Sequence, residues 1–255
     1  MKYAISIISY FDILGFKDII ETRKPKDILN ILKRFRYMAT PDKELSKDLE
    51  QNFFNFSDCA VRTTKVLSRV NSKRPVGILF YELLDVLHIQ MELVNLGIFL
   101  RGGITLGEVY AEDGFIFGPG LVDAYVLENK IAKSPRIILQ KEVVDLISDV
   151  PALRLWYHKP KEELDYIKDL IKLDSDGYFF IDYLKAMNTE VEPEDYFSFL
   201  VNHRNNIKAN LLRFKSDSHN FEKYAWLKDY HNSSICEMKQ GFFKSFGSTK
   251  SKLII

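Results

Sequence analysis

Residues 3–16 read Tyr3-Ala4-Ile5-Ser6-Ile7-Ile8-Ser9-Tyr10-Phe11-Asp12-Ile13-Leu14-Gly15-Phe16, and the architecture turns on them. Tyr3, Ile5, Ile7, Ile8 and Tyr10 are β-formers, alternating and clustered as in a central strand over residues 3–11. From Leu14 to Thr22 the spacing becomes helical, with Phe16, Ile19 and Ile20 on one face. Asp12 stands at the end of the apolar strand and is followed by a glycine-containing turn. A helix start presents unpaired backbone N–H groups and a positive dipole end, a suitable place for phosphate.

Working outward, Pro25 suits the first turn of a helix running to about Tyr37, and residues 40–50 read as a polar surface connection. Phe53 to Val66 predicts two short strands around a turn that carries Asp58. Pro75 opens a long amphipathic helix ending near Gly97. Ile98 to Tyr110 is a strand interrupted by Gly102, Gly103 and Gly107; residues 118–132 are helical, and residues 136–139 form a strand. The order β-α-α-β-β-α-β-β-α-β predicts an α/β fold (an α+β sandwich), with helices flanking a mostly antiparallel sheet. Residues 1–150 form this core, and residues 151–255 a mixed, mainly helical C-terminal extension packed on it. In the extension, residues 161–172 predict a helix, 178–184 a strand, and 193–215 and 219–240 two long helices; 241–255 reads as loosely held.

Composition narrows the function classes. With 255 residues, 46% of them hydrophobic, the chain can bury one large core. Lys plus Arg number 36 against 35 Asp plus Glu, a formal net charge of +1, which argues against nucleic acid as the main partner. The first apolar run is broken by serines and ends on an acid, unlike a signal peptide, and other apolar stretches are interrupted too soon to span a membrane. Cys59 and Cys236, far apart in sequence, imply neither a disulfide framework nor a zinc motif. The expectation is a cytoplasmic protein acting on neither nucleic acid nor membrane.

Three segments carry the chemistry: Phe11–Phe16; Phe56-Ser57-Asp58-Cys59-Ala60; and Leu100-Arg101-Gly102-Gly103-Ile104-Thr105-Leu106-Gly107-Glu108-Val109, followed by Gly118 to Glu128. Asp12 and Asp58, from neighbouring strand ends, are placed to clamp a pair of divalent ions. Arg101 is a candidate phosphate or transition-state ligand, or else pairs with a nearby acid.

Together these segments resemble the class III nucleotidyl cyclase domain over roughly residues 3–140. That family has a metal-binding Asp in a Phe-x-Asp-Ile-x-Gly-Phe stretch, a second metal Asp at the spacing of Asp58, and then an Arg-x-Gly-Ile-x-x-Gly-x-Val strand, matched by Arg101 to Val109. The resemblance implies catalysis by Asp12 and Asp58 with two Mn2+ (or Mg2+) ions per site, and a metal bond from the Ile13 carbonyl. One ion ionises the 3′-hydroxyl and the other binds the triphosphate. It places nucleotide contacts at Leu14, Gly15, Phe16 and Phe54, and implies a homodimer with shared sites. Purine cyclases carry an Asn and an Arg where this chain has Asp123 and Leu127, and an adenine-reading Lys where it has Phe54. The acidic partner of that Lys falls in Phe115-Ile116-Phe117. A narrower likeness, over Gly118–Glu128, Ala132–Ile137 and Lys223–Asn232, is to the bacterial antiphage Pycsar pyrimidine cyclases. It implies conversion of UTP, or alternatively CTP, to cyclic UMP or cyclic CMP, with a cyclic-nucleotide-sensing effector downstream. A purine cyclase with an unusual pocket and a catalytically silent nucleotide sensor are the rival expectations.

Other charged residues receive plainer readings. Lys17 and Lys130 read as solvated surface, Arg136 as a candidate for the missing positive charge, and Glu128 as a salt-bridge partner. Asp174-Ser175-Asp176-Gly177 begins like a calcium loop but lacks its later ligands, and is expected to be a turn. The glycines do not form a dinucleotide fingerprint, and the five histidines lack metal-ligand spacing, His88 being expected to pack in its helix.

Overall fold

The computed structural model describes residues 2–41, 50–68 and 74–255. The central strand β1 (Ala4–Ile13) lies between β3 (Cys59–Lys65) and β4 (Leu100–Glu112), antiparallel to both. Strand β2 (Gln51–Phe56) extends the sheet beyond β3; β6 (Ile137–Leu139), β8 (Phe179–Ile181) and β7 (Ile171–Leu173) extend it beyond β4. The order is β2-β3-β1-β4-β6-β8-β7, with β5 (Phe115–Phe117) paired to β4 alone. Only β4–β6 is parallel among the described residues, so the sheet is mostly antiparallel as expected. Residues 42–49 of the expected surface connection lie outside the described residues.

Alternation along β1 divides the core. Ile7, Phe11 and Ile13 face the main core, which includes helices α1 (Phe16–Thr22), α2 (Pro25–Ala39) and α3 (Ile78–Asn95) and continues through Ile147, Leu184 and Leu227. Ile8 and Tyr10 point to the opposite face, into a small cluster with Val61, Val109, Ala124 and half-buried Phe54. Helix α4 (Pro119–Val126) covers part of that face, and the remainder stays open.

One buried carboxylate ties the sheet to α3. Glu82 Oε1 accepts from Ser9 Oγ at 2.8 Å and Arg62 Nε at 3.2 Å, while Oε2 accepts from Thr64 Oγ1 at 2.9 Å. Arg62 also donates to Asp85 at 2.6 Å and to the Ala39 carbonyl at 3.3 Å. Residues of β1, β3, α2 and α3 thus meet at one fully paired group.

Three boundaries differ from expectation, and one helix is additional to it. The helix expected from Pro75 starts at Ile78, because extended Gly77 donates its N–H to Glu163 Oε2. The helix expected over 161–172 is α6 (Pro160–Ile167), and the chain then enters β7, where the Leu170 carbonyl accepts from Asp182 N. The strand expected over 178–184 ends at Ile181: Asp182 accepts from Lys185 N and caps α7 (Tyr183–Glu190). An additional helix, α5 (Lys141–Asp149), follows β6.

The final residues are not loosely held. After α8 (Pro193–Arg213) and α9 (Ser218–Glu237), the short helices α10 (Gln240–Ser245) and α11 (Lys250–Leu253) bury Phe243 and Leu253. Asn232 bonds both the N–H and the carbonyl of Ile255. A buried relay continues inward. His231 Nε2 lies 3.0 Å from the Leu253 carbonyl and must donate to it, so neutral His231 Nδ1 accepts from His203 Nδ1 at 2.9 Å. His203 Nε2 then accepts from Tyr183 Oη at 2.8 Å.

Burial, the largest cause, pushes His231 down to about 4, with Arg204 adding to the effect; His203 is also lowered by burial and by His231. Below about pH 6.5 the unfolded ring takes a proton that the folded ring refuses until about pH 4, so stability falls as pH drops through that window. Against His231→Gln, the parent should lose on the order of 3 kcal/mol between these limits. Urea melts at stepped pH check this; a gap between parent and variant that ignores pH would contradict it. Separately, Glu82→Ala removes the acceptor shared by Ser9, Arg62 and Thr64, leaves Arg62 with only Asp85 and the Ala39 carbonyl, and should cost about 3 kcal/mol or more. A loss below about 1 kcal/mol in the same melts would show the pairing to be dispensable.

Candidate metal and nucleotide site

The site is built by register. Asp12 lies opposite Cys59 on β3 and opposite Arg101 on β4. The β2–β3 turn puts Ser57 in left-handed backbone at φ 55°, and Asn55 braces the turn by donating to the Cys59 carbonyl at 2.8 Å. Ile13 N then donates to the Asp58 carbonyl at 3.1 Å, tying this turn to the end of β1. These bonds bring Asp12 and Asp58 together although α1, α2 and β2 all lie between them in the chain. Ligand atoms of Asp12, Asp58 and Cys59 lie within 4.8 Å of one another.

The donor set fits a hard divalent cation. Asp12 Oδ1 is buried without a hydrogen-bond partner, whereas Oδ2 accepts from Arg101 at 3.4 Å. Burial raises the Asp12 carboxyl; Arg101 opposes this and Asp58 adds to it, as expected where negative charge outweighs the cation present. Two carboxylates suit Mn2+ or Mg2+, and burial also raises the Cys59 thiol, which keeps it protonated and a poor ligand for such ions.

Arg101 pairs with Glu128 as well as Asp12. Glu128 arrives by way of a π-helical turn, Leu127–Ile131, directly after α4. Such turns alter which side chains face inward. Here Leu127 packs in the core against Gly103, where an added Cβ would come within 2.5 Å of Leu127 Cβ, and Glu128 reaches the charged cluster. Its carboxyl is pushed up to about 7, chiefly by burial and then by Asp12.

Phe54, Val61 and Tyr10 form one cross-strand row beside the carboxylates, with the Tyr10 ring edge-on to Tyr125 at 5.8 Å. Leu14 and Phe16 turn their side chains into the core, and Leu14 N is committed to the Phe99 carbonyl at 2.8 Å. Gly15 sits in left-handed backbone at φ 70° between them. Arg136 is elsewhere: it is clamped by Asp174 and Asp176 and packed on Trp226, so those acids form a turn that holds an arginine. Lys17 and Lys130 are exposed, and His88 faces Glu190 at 3.2 Å.

The sequence reading gave no site role to Tyr10, which flanks the first motif, or to Cys59, which lies within the second; pairing across β1 and β3 was the missing information. Lys223, which opens the Lys223–Asn232 likeness and lies on α9, is half-buried, and burial is the largest cause lowering the proton affinity of its amine.

No family model matches the chain, and no curated protein matches it in sequence. Among solved structures, it is similar to the catalytic core of a rhodopsin-guanylyl cyclase with converted specificity in complex with ATPαS: 16% identity, 71% of this chain and 97% of that chain covered, TM-score 0.45. It is similar also to the guanylyl cyclase Cya2, at 14% identity, 71% and 93% coverage and TM-score 0.40. A third is an adenylate/guanylate cyclase/hydrolase from Silicibacter pomeroyi, at 18%, 59% and 83%, and 0.41. Likeness of this degree settles no activity, and the chemistry rests on the chain's own residues. No helix among the described residues is long and apolar enough to cross a membrane.

The carboxylate pair should govern metal affinity. Isothermal titration with Mn2+ should show Asp58→Asn weakening binding by about ten-fold or more, and Cys59→Ser leaving it within about two-fold. Equal affinity of parent and Asp58→Asn would remove the carboxylates from the site.

Proposed function

We propose that this chain is a nucleotide cyclase that closes a nucleoside triphosphate into its 3′,5′-cyclic monophosphate and releases pyrophosphate. The observation that carries the reading is the register-locked pair Asp12 and Asp58, with an unpartnered buried oxygen on Asp12, at the edge of an open sheet face. Asp12 and Asp58 would hold the divalent cations, which would supply a lowered proton affinity at the attacking hydroxyl and positive charge beside the phosphates. The O3′–Pα bond forms as the bond from Pα to the bridging oxygen breaks. The hydroxyl proton passes to solvent, and pyrophosphate carries away the bonding pair.

Arg101, held by Asp12 and Glu128, faces the phosphates from β4. The base lies over the Tyr10–Val61–Phe54 row, where an aromatic ring offers stacking but no cation to read adenine. The lack of such a cation speaks against adenine, and the sequence resemblance supports UTP as the favoured substrate, with CTP second and Mn2+ the favoured ion. Exposed Phe115, Phe117, Val122 and Tyr125 on β5 and α4 support a homodimer formed through this side of the sheet. The product serves as a second messenger in antiphage defence, read by a separate effector; the sequence resemblance supports this step.

A second reading is favoured by one observation. Leu127 is buried and Asp123 exposed at the two positions where the resemblance places transition-state ligands, so α4 supplies neither. The alternative is a nucleotide-binding sensor without turnover. Incubating the protein with Mn2+ and each of the four ribonucleoside triphosphates, with mass spectrometry of products, separates the readings. Cyclic UMP, or cyclic CMP, is expected; Asp58→Ala should reduce it by about a hundred-fold or more. Cyclic AMP or GMP would overturn the base preference, and no cyclic product from any substrate would overturn the enzyme reading.

A further inference from the structure

Arg101 and Gly103 are two residues apart on β4 and so point to the same face of the sheet. Gly103 leaves that face bare: a Cβ there would meet Leu127 Cβ at 2.5 Å, the Ala124 carbonyl at 2.9 Å and Glu128 N at 3.3 Å. The end of α4 therefore lies flat against β4 beside Arg101. The chain there takes its π-helical turn, in which Ala132 N donates to the Leu127 carbonyl at 2.8 Å, and the Glu128 carboxylate meets the Arg101 guanidinium.

The two carboxylates on Arg101 differ in standing. Asp12 Oδ2 accepts from Arg101 Nη2 at 3.4 Å, a long contact, and Asp12 belongs to the group of ligand atoms that suits a cation. Glu128 pairs more closely with the same nitrogen and lies outside that group. Its side chain is 5% exposed against 22% for Arg101, so the acid sits deeper than the guanidinium it holds. Arg101 Nε is buried without a partner. With Asp12 engaged by cations, Glu128 is the one ion-pair partner left to fix Arg101 among the described residues. A long side chain without such a partner regains its rotamer freedom and must be ordered again by the ligand.

We propose that Glu128 is a positioning residue: it holds Arg101 toward the triphosphate while Asp12 is engaged by cations, and the π-helical turn is what delivers it. This rests on the cyclase reading. As a bare charge, Glu128 would repel a polyanion, and its removal would tighten phosphate binding. As the holder of Arg101, its removal weakens binding, because the guanidinium fork loses the orientation that a phosphate contact needs. The two roles differ in sign.

Calorimetry of the full chain with inorganic tripolyphosphate and Mn2+, beside cyclisation kinetics, reads that sign. Glu128→Gln, which keeps the size of the side chain, should weaken tripolyphosphate binding by about ten-fold and raise KM for the nucleotide more than it lowers kcat. Mn2+ affinity without phosphate should stay within about three-fold of the parent's, since Glu128 is not among the grouped ligand atoms. In an Arg101→Met background the same substitution should no longer weaken tripolyphosphate binding. Should the Gln variant melt early, Glu128→Asp, which keeps the charge but draws it back, takes its place in the same cycle. Tripolyphosphate binding in the Glu128 variant as tight as the parent's, or tighter, would overturn the proposal. So would no binding by the parent, an equal loss in the Arg101→Met background, or a larger loss of Mn2+ affinity, which would make Glu128 a metal ligand. Glu128-dependent binding without any cyclic product would uphold this role and sink the cyclase reading. Cyclisation by the parent, with KM and tripolyphosphate binding unchanged in the variant, would do the reverse.

Discussion

The arrangement depends on the Glu82 carboxylate beneath the sheet. Its oxygens accept from Ser9 on β1 and from Arg62 and Thr64 on β3. A slip of one residue between these strands would turn Ser9 outward and leave a buried charge unpaired, at several kcal/mol. The same register sets Asp12 opposite Cys59 and brings Asp58 to the end of β1. Structural pairing on one face of the sheet thus determines the spacing of chemical groups on the other.

The two faces handle charge in opposite ways. Glu82 and Arg62 are saturated with partners, and no atom of either is left wanting. Around Asp12 the tally is incomplete: Asp12 Oδ1 and Arg101 Nε lack partners, and Asp12 and Glu128 are both raised chiefly by burial, Asp58 adding to the first and Asp12 to the second. Other buried polar atoms, such as Gln90 Oε1 and Arg136 Nε, also lack partners, so it is the joining of such atoms to two raised carboxylates that marks this edge of the sheet.

Much of this was legible locally. The strand through Phe11, the turn at Gly15 and the hairpin around Asp58 follow from patterns a few residues long, and so the carboxylate pair could be named from the chain alone. The missed elements depend on distant partners. Gly77 is held extended by Glu163, and Asp182 stops a run of β-formers by capping the helix after it. The π-helical turn that carries Leu127 and Glu128 has no short signature, and it lies where the chain closely approaches the distant Gly103. Arg136 looked available for phosphate only because its acids, Asp174 and Asp176, lie far along the chain.

The C-terminal region shows how a tail that reads as loosely held becomes part of the core. Its burial has no local signature, because its partners lie on other helices. His231 is locked between His203 and the Leu253 carbonyl, Tyr230 donates to Asp182, and Asn232 grips Ile255. Tyr230, His231 and Asn232 are consecutive on α9, so one short stretch of that helix ties together the cap of α7, helix α8 and residues 253–255. Further back on α9, Tyr224 packs edge-on against Phe99, whose carbonyl holds Leu14 N just after β1. The tail thus fixes α9, and α9 in turn braces the end of the strand that carries Asp12.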